Sequence, residues 1–253
     1  MNLRPVYVAA TALLLSATQL AAQTAAEHIV MGNKDRDALN AAGALHHYQE
    51  AIKLDAGSAE ALWRASREAI DLGEFNDKGR DSLYQLGEQY ARRAVQADPK
   101  STWTHFALSR ALGRRALSLG ARERVKYAGE VRNEALESLK IDSTNPGSLH
   151  IMGMWHANVM RLNGIARFLA KTLLGGKVFD QANWADAAKY LEKAAAIEPD
   201  RIVHHLDLAG VYRDRNEKAK AQEQYQTALK LKPMEYNDKF YQQQADRELK
   251  EVR

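Results

Sequence analysis

The sequence predicts an all-α chain of stacked antiparallel helix pairs, an α-α superhelix. Three observations carry that prediction. Residues 202–235 hold two amphipathic segments closed by a proline. One alanine position of that stretch recurs upstream as Ala51, Ala94 and Ala194, with Ser138 in a fifth copy. An apolar first segment accompanies the copies: ALWRASREAIDLG, STWTHFALSRALG and GSLHIMGMWHANVMRLNG.

Within residues 202–235 stand His205, Leu208, Ala209, Tyr212, Ala221, Tyr225, Ala228 and Pro233. The spacing is W/L-x2-L-G/A-x2-Y, then A-x3-Y-x2-A, then Pro, with His205 in the Trp/Leu place. That is the 34-residue tetratricopeptide (TPR) pattern. Leu208, Ala209 and Tyr212 share one helix face, because neighbours at i, i+3 and i+4 align. Ala221, Tyr225 and Ala228 do so on a second helix. The alanines let two backbones approach, the tyrosines fill the remaining space, and Pro233 cannot continue a helix interior. Pro199 and Pro99 close two earlier copies, and Ala56 stands where a third would have its proline. The intervals from Ala51 are 43, 44, 56 and 34 residues. The excess places inserts near 73–82, 115–126 and 163–183, in a solenoid of about five hairpins over residues 35–235.

Taken in order, the chain opens with Arg4, an apolar run and small residues around Ala21 and Ala22. This is the layout of a secretory signal peptide over residues 1–22, implying an exported, periplasmic or secreted protein. The alternative is an uncleaved membrane anchor, but the run falls short of the ~20 apolar residues a span needs. Residues 23–34 read as a loose leader and 35–54 as one helix, with Leu39, Leu45, Tyr48, Ala51 and Ile52 inward. Ser58 is a candidate N-cap for a helix ended by Gly73. Residues 81–97 form its partner. Ser101 is the candidate cap of a pair spanning 103–119 and 121–141. Asn145-Pro146-Gly147 reads as a turn. Residues 149–162 and 184–197 flank the longest insert, and 236–253 suit a C-terminal capping helix, which a solenoid needs to cover its last apolar face.

Composition narrows the function classes. The formal charge of +4 falls to +3 without Arg4, giving no broad pull toward nucleic acid. Zero cysteines exclude disulfides, thiolate zinc sites and cysteine nucleophiles. A 45% hydrophobic content suffices for a core.

Two stretches go beyond a generic repeat: WRASREAIDLGEF at 63–75 and GMWHANVMRLNGIARFLAKTLLG at 153–175. With the insert before Trp184-Ala185-Asp186-Ala187, they resemble the regulator of microtubule dynamics family over roughly residues 44–233. The resemblance implies a TPR-like helical domain without catalysis, and association with microtubules or membranes as in animal members.

A TPR solenoid binds on its concave side, and counting along the first helices places candidate groove residues there. They are Trp63, Arg67, Trp103, Phe106, Arg110, Arg114, His150 and Met154, with Glu60, Asp71, Asn158, Leu206 and Arg213 in the same register. Rings give apolar area and guanidinium forks pair carboxylates, so the expected partner is a protein or peptide, acidic or ending in a carboxylate. The competing readings are rings in the inter-repeat core and arginines on a solvated face. The basic run from Arg110 to Arg132 reads as an exposed helical hairpin, with contact to anionic lipid or an acidic peptide as the alternative. Ile165, Phe168, Leu169, Lys171 and Leu173 lie on a basic amphipathic insert, which suits either a membrane surface or a fold-back over the solenoid.

The eight histidines show no H-E-x-x-H pattern, and no phosphate loop, G-x-S-x-G or dinucleotide fingerprint occurs. His105 and His205 are expected partly buried and hydrogen-bonded. No metal or cofactor is implied. The chain reads as a non-enzymatic scaffold or adaptor, with a membrane-surface or microtubule-associated organiser as the alternative.

Overall fold

The computed structural model describes residues 24–173 and 176–252. The signal-peptide reading of residues 1–22 lies outside the described residues, as do the side chains of Ile165, Leu169 and Leu173. The helices are α1 Ala25–Asp37, α2 Ala41–Leu54, α3 Ala59–Glu74, α4 Arg80–Ala97, α5 Thr102–Ala116 and α6 Ala121–Ile141. They continue as α7 Pro146–Arg161, α8 Gly164–Leu173, α9 Trp184–Ile197, α10 Ile202–Asp214, α11 Lys218–Lys230 and α12 Asp238–Val252. No strand occurs among the described residues, so the chain is all-α. Five hairpins form among the described residues: α1 with α2, α3 with α4, α5 with α6, α7 with α9, and α10 with α11. The first helices α3, α5, α7 and α10 touch in sequence, forming an inner layer that α12 joins at the end.

The repeat register sits in the core. Ala51, Ala94, Ser138, Ala194 and Ala228 are each 0% exposed. His105 and His205, in the usual Trp/Leu place, are buried and fully used. Their Nε2 atoms bond the carbonyls of Pro99 and Pro199 at 3.0 and 2.8 Å, and their Nδ1 atoms meet Glu134 and Gln224. Each imidazole thereby fastens the proline turn to the helix that follows it.

Several boundaries differ from the sequence expectations. Residues 25–37 are helical rather than a loose leader, opened by a capping box between Thr24 and Glu27. Residues 35–54 are not one helix. Leu39 takes a left-handed conformation, φ 59°, and the Asn40 side chain caps α2. Gly73 does not end α3. It lies within the helix, where a Cβ would meet the Tyr84 ring at 2.8 Å. Ser101 holds an N-cap position without a side-chain bond; Thr104 Oγ1 instead donates to Asp98 O or Ser101 O. Asn145 caps α7 directly, with Pro146 in the first turn.

The long insert becomes α8 and a 3₁₀ turn, Gly176–Gln181. Phe179, 3% exposed, stacks on Trp155 at 6.1 Å, and Ala170 is buried in the same cluster. This side of the insert is folded back onto the solenoid, whereas Phe168 points outward.

Replacing Ala228 by tryptophan is expected to overpack the α10–α11 contact and cost about 1–3 kcal/mol. Thermal unfolding followed by circular dichroism checks this, and an unchanged Tm would refute the register.

Candidate functional site: the inner face and its aromatic lip

Trp63 of α3 and Trp103 of α5 stack at 5.4 Å with an 18° tilt, and Phe106 meets Trp103 edge-on at 6.1 Å. The register thus brings the three rings together across two hairpins, near the start of the first helices. The guanidinium carbons of Arg64 and Arg67 lie 4.5 and 5.4 Å from the Trp63 ring centre, within cation–π range. Trp63 is 9% exposed but Trp103 is 42% exposed. Phe106 is pressed against Gly147, where a Cβ would come within 2.3 Å of its ring. Trp103 therefore offers an open face on a seated support. Beside it is a shallow cleft of about 320 Å³, bounded by Ala59, Glu60, Arg64, Asp98 and Ser101.

Further along the inner face the picture changes. Arg110 Nη2 donates to Asp71 at 2.5 Å, and Arg114 Nη2 pairs with Glu74 at 2.5 Å. Arg67 holds Glu68 at 2.7 Å. These arginines do not face an open groove, nor are they a solvated face. The chain's own carboxylates occupy them. Burial would raise the Asp71 carboxyl, but Arg110 outweighs it and holds the group below the usual range. Glu68, although held by Arg67, is pushed up by burial and by the neighbouring Asp71 charge.

The C-terminal segment completes this layer. Asn237 Nδ2 donates to the Asp71 carbonyl at 3.0 Å, and Tyr241 Oη donates to Glu74 at 2.8 Å. Arg36 and Arg201 both grip Glu235. Phe240 stacks on Phe75 at 4.5 Å. Residues 235–241 therefore lie across the inner face, joining the last helix to α1 and α3. Sequence reasoning missed these residues because they follow Pro233, outside the repeat register. The one available signal was the crowding of polar residues ahead of a helix whose stripe Tyr241, Ala245, Leu249 and Val252 is apolar.

The remaining groove candidates are also engaged. His150 joins a hydrogen-bonded chain with His204, Asp207 and Glu198, in which His204 is the buried member. Met154 is half-buried against the C-terminal core, and Leu206 is buried. Arg213 pairs with Glu248 at 2.7 Å, and Glu60 with Arg64 at 2.9 Å. Asn158 is exposed. In the basic run, Arg115 lies near Glu88, Arg124 bonds three carbonyls at the end of α5, and Arg132 bonds Gln181. On the insert, Phe168 is 63% exposed and Lys171 pairs with Asp180. Among the described residues no group of three or more histidine or acidic side chains is placed to hold a metal, and no helix is long and apolar enough to cross a membrane.

Comparison with known proteins follows the same outline. The family model described as regulator of microtubule dynamics protein 1-3 matches residues 24–253. Regulator of microtubule dynamics protein 1 from Bos taurus is 23% identical over 155 residues, 60% of this chain and 48% of that protein. The Homo sapiens protein of that name is 23% identical over 149 residues, 59% of this chain and 47% of its own length. The chain thus spans about half the length of the curated relatives it matches. Among solved structures, a thermophilic TPR protein of Thermus thermophilus superposes with a TM-score of 0.63 at 19% identity, covering 87% of this chain and 98% of that one. Pseudomonas aeruginosa pilF superposes at 0.50 with 15% identity, covering 90% and 91%. These likenesses establish the TPR fold.

Arg110→Ala is expected to destabilise the protein by about 3 kcal/mol or more, because it strands the Asp71 charge in the interior. Adding Asp71→Ala should cost less than the two single changes summed. Urea unfolding of the three variants tests this, and additive losses would break the pairing.

Proposed function

This chain belongs to the regulator of microtubule dynamics family, and from that membership we propose that it is a non-catalytic TPR scaffold that takes a protein or peptide partner at its aromatic lip. The carrying observation is Trp103, 42% exposed on a support of Trp63 and Phe106. A rigid ring half in water contributes apolar area on contact and loses little side-chain freedom, which is why tryptophan recurs at interface hot spots. Arg110 and Arg114 do not enter the reading, since Asp71 and Glu74 already neutralise them. The partner is accordingly one with an apolar anchor rather than one selected for acidity. Export after loss of residues 1–22 belongs to the same proposal and rests on the leader sequence.

A second reading is an organiser at a membrane surface or on microtubules. It is supported by the outward Phe168 on a basic helix, and by the microtubule dynamics in the relatives' name.

A photo-crosslinking amino acid in place of Glu60, exposed beside an intact Trp103, is expected to capture a discrete protein in native extract. Excess wild-type chain should compete the adduct away and Trp103→Ala should not, while Trp103→Ala keeps its helical content. The same probe at Leu117, 58% exposed elsewhere, is the control. Equal adducts at both positions would end the lip reading. For the second reading, Phe168→Asp should leave stability within about ±0.5 kcal/mol yet reduce co-sedimentation with anionic vesicles or microtubules. If the wild-type chain pellets with neither, that reading is wrong.

A further inference from the structure

Two histidines of the inner layer, His204 buried and His150 half-buried, form one continuous chain with Asp207 and the exposed Glu198. Asp207 Oδ2 lies 3.0 Å from His150 Nε2, and His150 Nδ1 lies 2.9 Å from His204 Nδ1. His204 Nε2 lies 3.1 Å from Glu198 Oε2. His204 is 3% exposed, and the two rings sit 4.8 Å apart. His204 and Asp207 belong to α10, His150 to α7, and Glu198 caps the end of α9.

Hydrogen counting fixes the state of such a chain. Each Nε2 faces a carboxylate, which only accepts, so each Nε2 carries a hydrogen. The two Nδ1 atoms face each other at hydrogen-bond distance, and only one hydrogen fits between them. Two neutral rings would set lone pair against lone pair. Two imidazolium rings would set N–H against N–H. Three hydrogens on four nitrogens satisfy every bond, giving one imidazole, one imidazolium and one shared proton.

We propose that His150 and His204 share a single proton and act as an acid-released latch between α7 and α10. The other charged groups facing the chain are Arg201 at the start of α10, Arg161 of α7 and Arg114 of α5. Burial would raise Asp207, but the His150 bond, with Arg114 and Arg161, holds it below the usual range. Glu198 is lowered first by its bond from His204. Both carboxylates are therefore ionised near neutrality and hold the first proton in place.

A second proton is resisted. Burial, with the positive charge on His150 and Arg201, brings His204 down to about 4 against the pull of Glu198. An unfolded histidine titrates at ~6.5. A folded value below the unfolded one gives stability that is present above pH ~6.5 and is lost as pH falls toward about 4. At the lower end of that interval the folded pair takes its second proton, the two N–H groups repel, and α7 and α10 part. The fourth hairpin then tilts from the fifth, and the long insert moves with it.

The absence of native cysteine allows the test directly. Spin labels at Asn158→Cys and Lys218→Cys, both exposed positions, report the spacing of the two hairpins. The wild-type distance is expected to lengthen as pH falls from 7 to 4, while His204→Gln, which cannot take the second proton, keeps one distance throughout. Parallel behaviour of the two chains, or no change in wild type, overturns the latch. Long-range ¹H–¹⁵N spectra of histidine-labelled wild type decide the matter even if His204→Gln folds poorly. Three ring protons across the pair at pH 7 support the proposal, and two or four overturn it.

Discussion

The structure depends on one arrangement of buried charge: the guanidinium groups of Arg110 and Arg114 against Asp71 and Glu74, sealed by Asn237 and Tyr241. A helical solenoid ordinarily holds itself together by contacts between neighbours, and its stability approaches a sum of repeat and interface terms. Here residue 237 bonds residue 71, residue 241 bonds residue 74, and Glu235 bonds Arg36. Buried ion pairs contribute little net stability over an apolar equivalent, because desolvation offsets most of the attraction. Their effect lies in the asymmetry: either charge alone is strongly unfavourable. The C-terminal segment cannot leave without opening the bonds of Asp71 and Glu74 to water. That couples the last helix to the second hairpin and makes the array behave more like a closed domain than an open coil.

Most of the fold was legible because TPR packing writes itself into small residues. Ala51, Ala94, Ser138, Ala194 and Ala228 had to be small, and all five are fully buried. The first hairpin was missed although its signal was present. Gly32 precedes Ala51 by 19 residues, as Ala209 precedes Ala228, and a Cβ at Gly32 would meet Tyr48 at 2.5 Å. The polar run after Gly32 masked it, and the break at Leu39 depends on a backbone conformation that leucine rarely signals. Gly73 was misread for a related reason. Glycine in a helical stretch marks either an end or a close approach, and the sequence does not say whether a ring such as Tyr84 lies opposite.

The candidate site was legible in its neighbours and illegible in its partners. The register placed Trp63, Trp103 and Phe106 on adjacent first helices, and they do meet. It also placed Arg110 and Arg114 on the inner face, where they are. What the register omitted was the occupant. Periodicity assigns a side chain to a face, but whether that face meets water depends on elements remote in sequence. Asn237 lies 166 residues from Asp71. The same blindness covered His150, counted as a groove residue, whose partners His204 and Asp207 come from a helix 54 and 57 residues later.

These facts also decide where a ligand gains most. A peptide entering the inner face beside Arg110 must displace Asp71 or Asn237, exchanging formed charge-assisted bonds for new ones while leaving the displaced groups buried. Each stranded charge costs several kcal/mol, so a ligand there starts from a deficit. At the lip nothing must be broken. Trp103 has roughly two-fifths of its surface still in water, and each Å² of apolar area covered contributes on the order of 25 cal/mol. Its support from Trp63 and Phe106 is already in place, so the ring loses little freedom on contact. The difference between the two regions is one of preorganisation: the inner face is complementary to the chain's own tail, and the lip keeps a supported ring open to water.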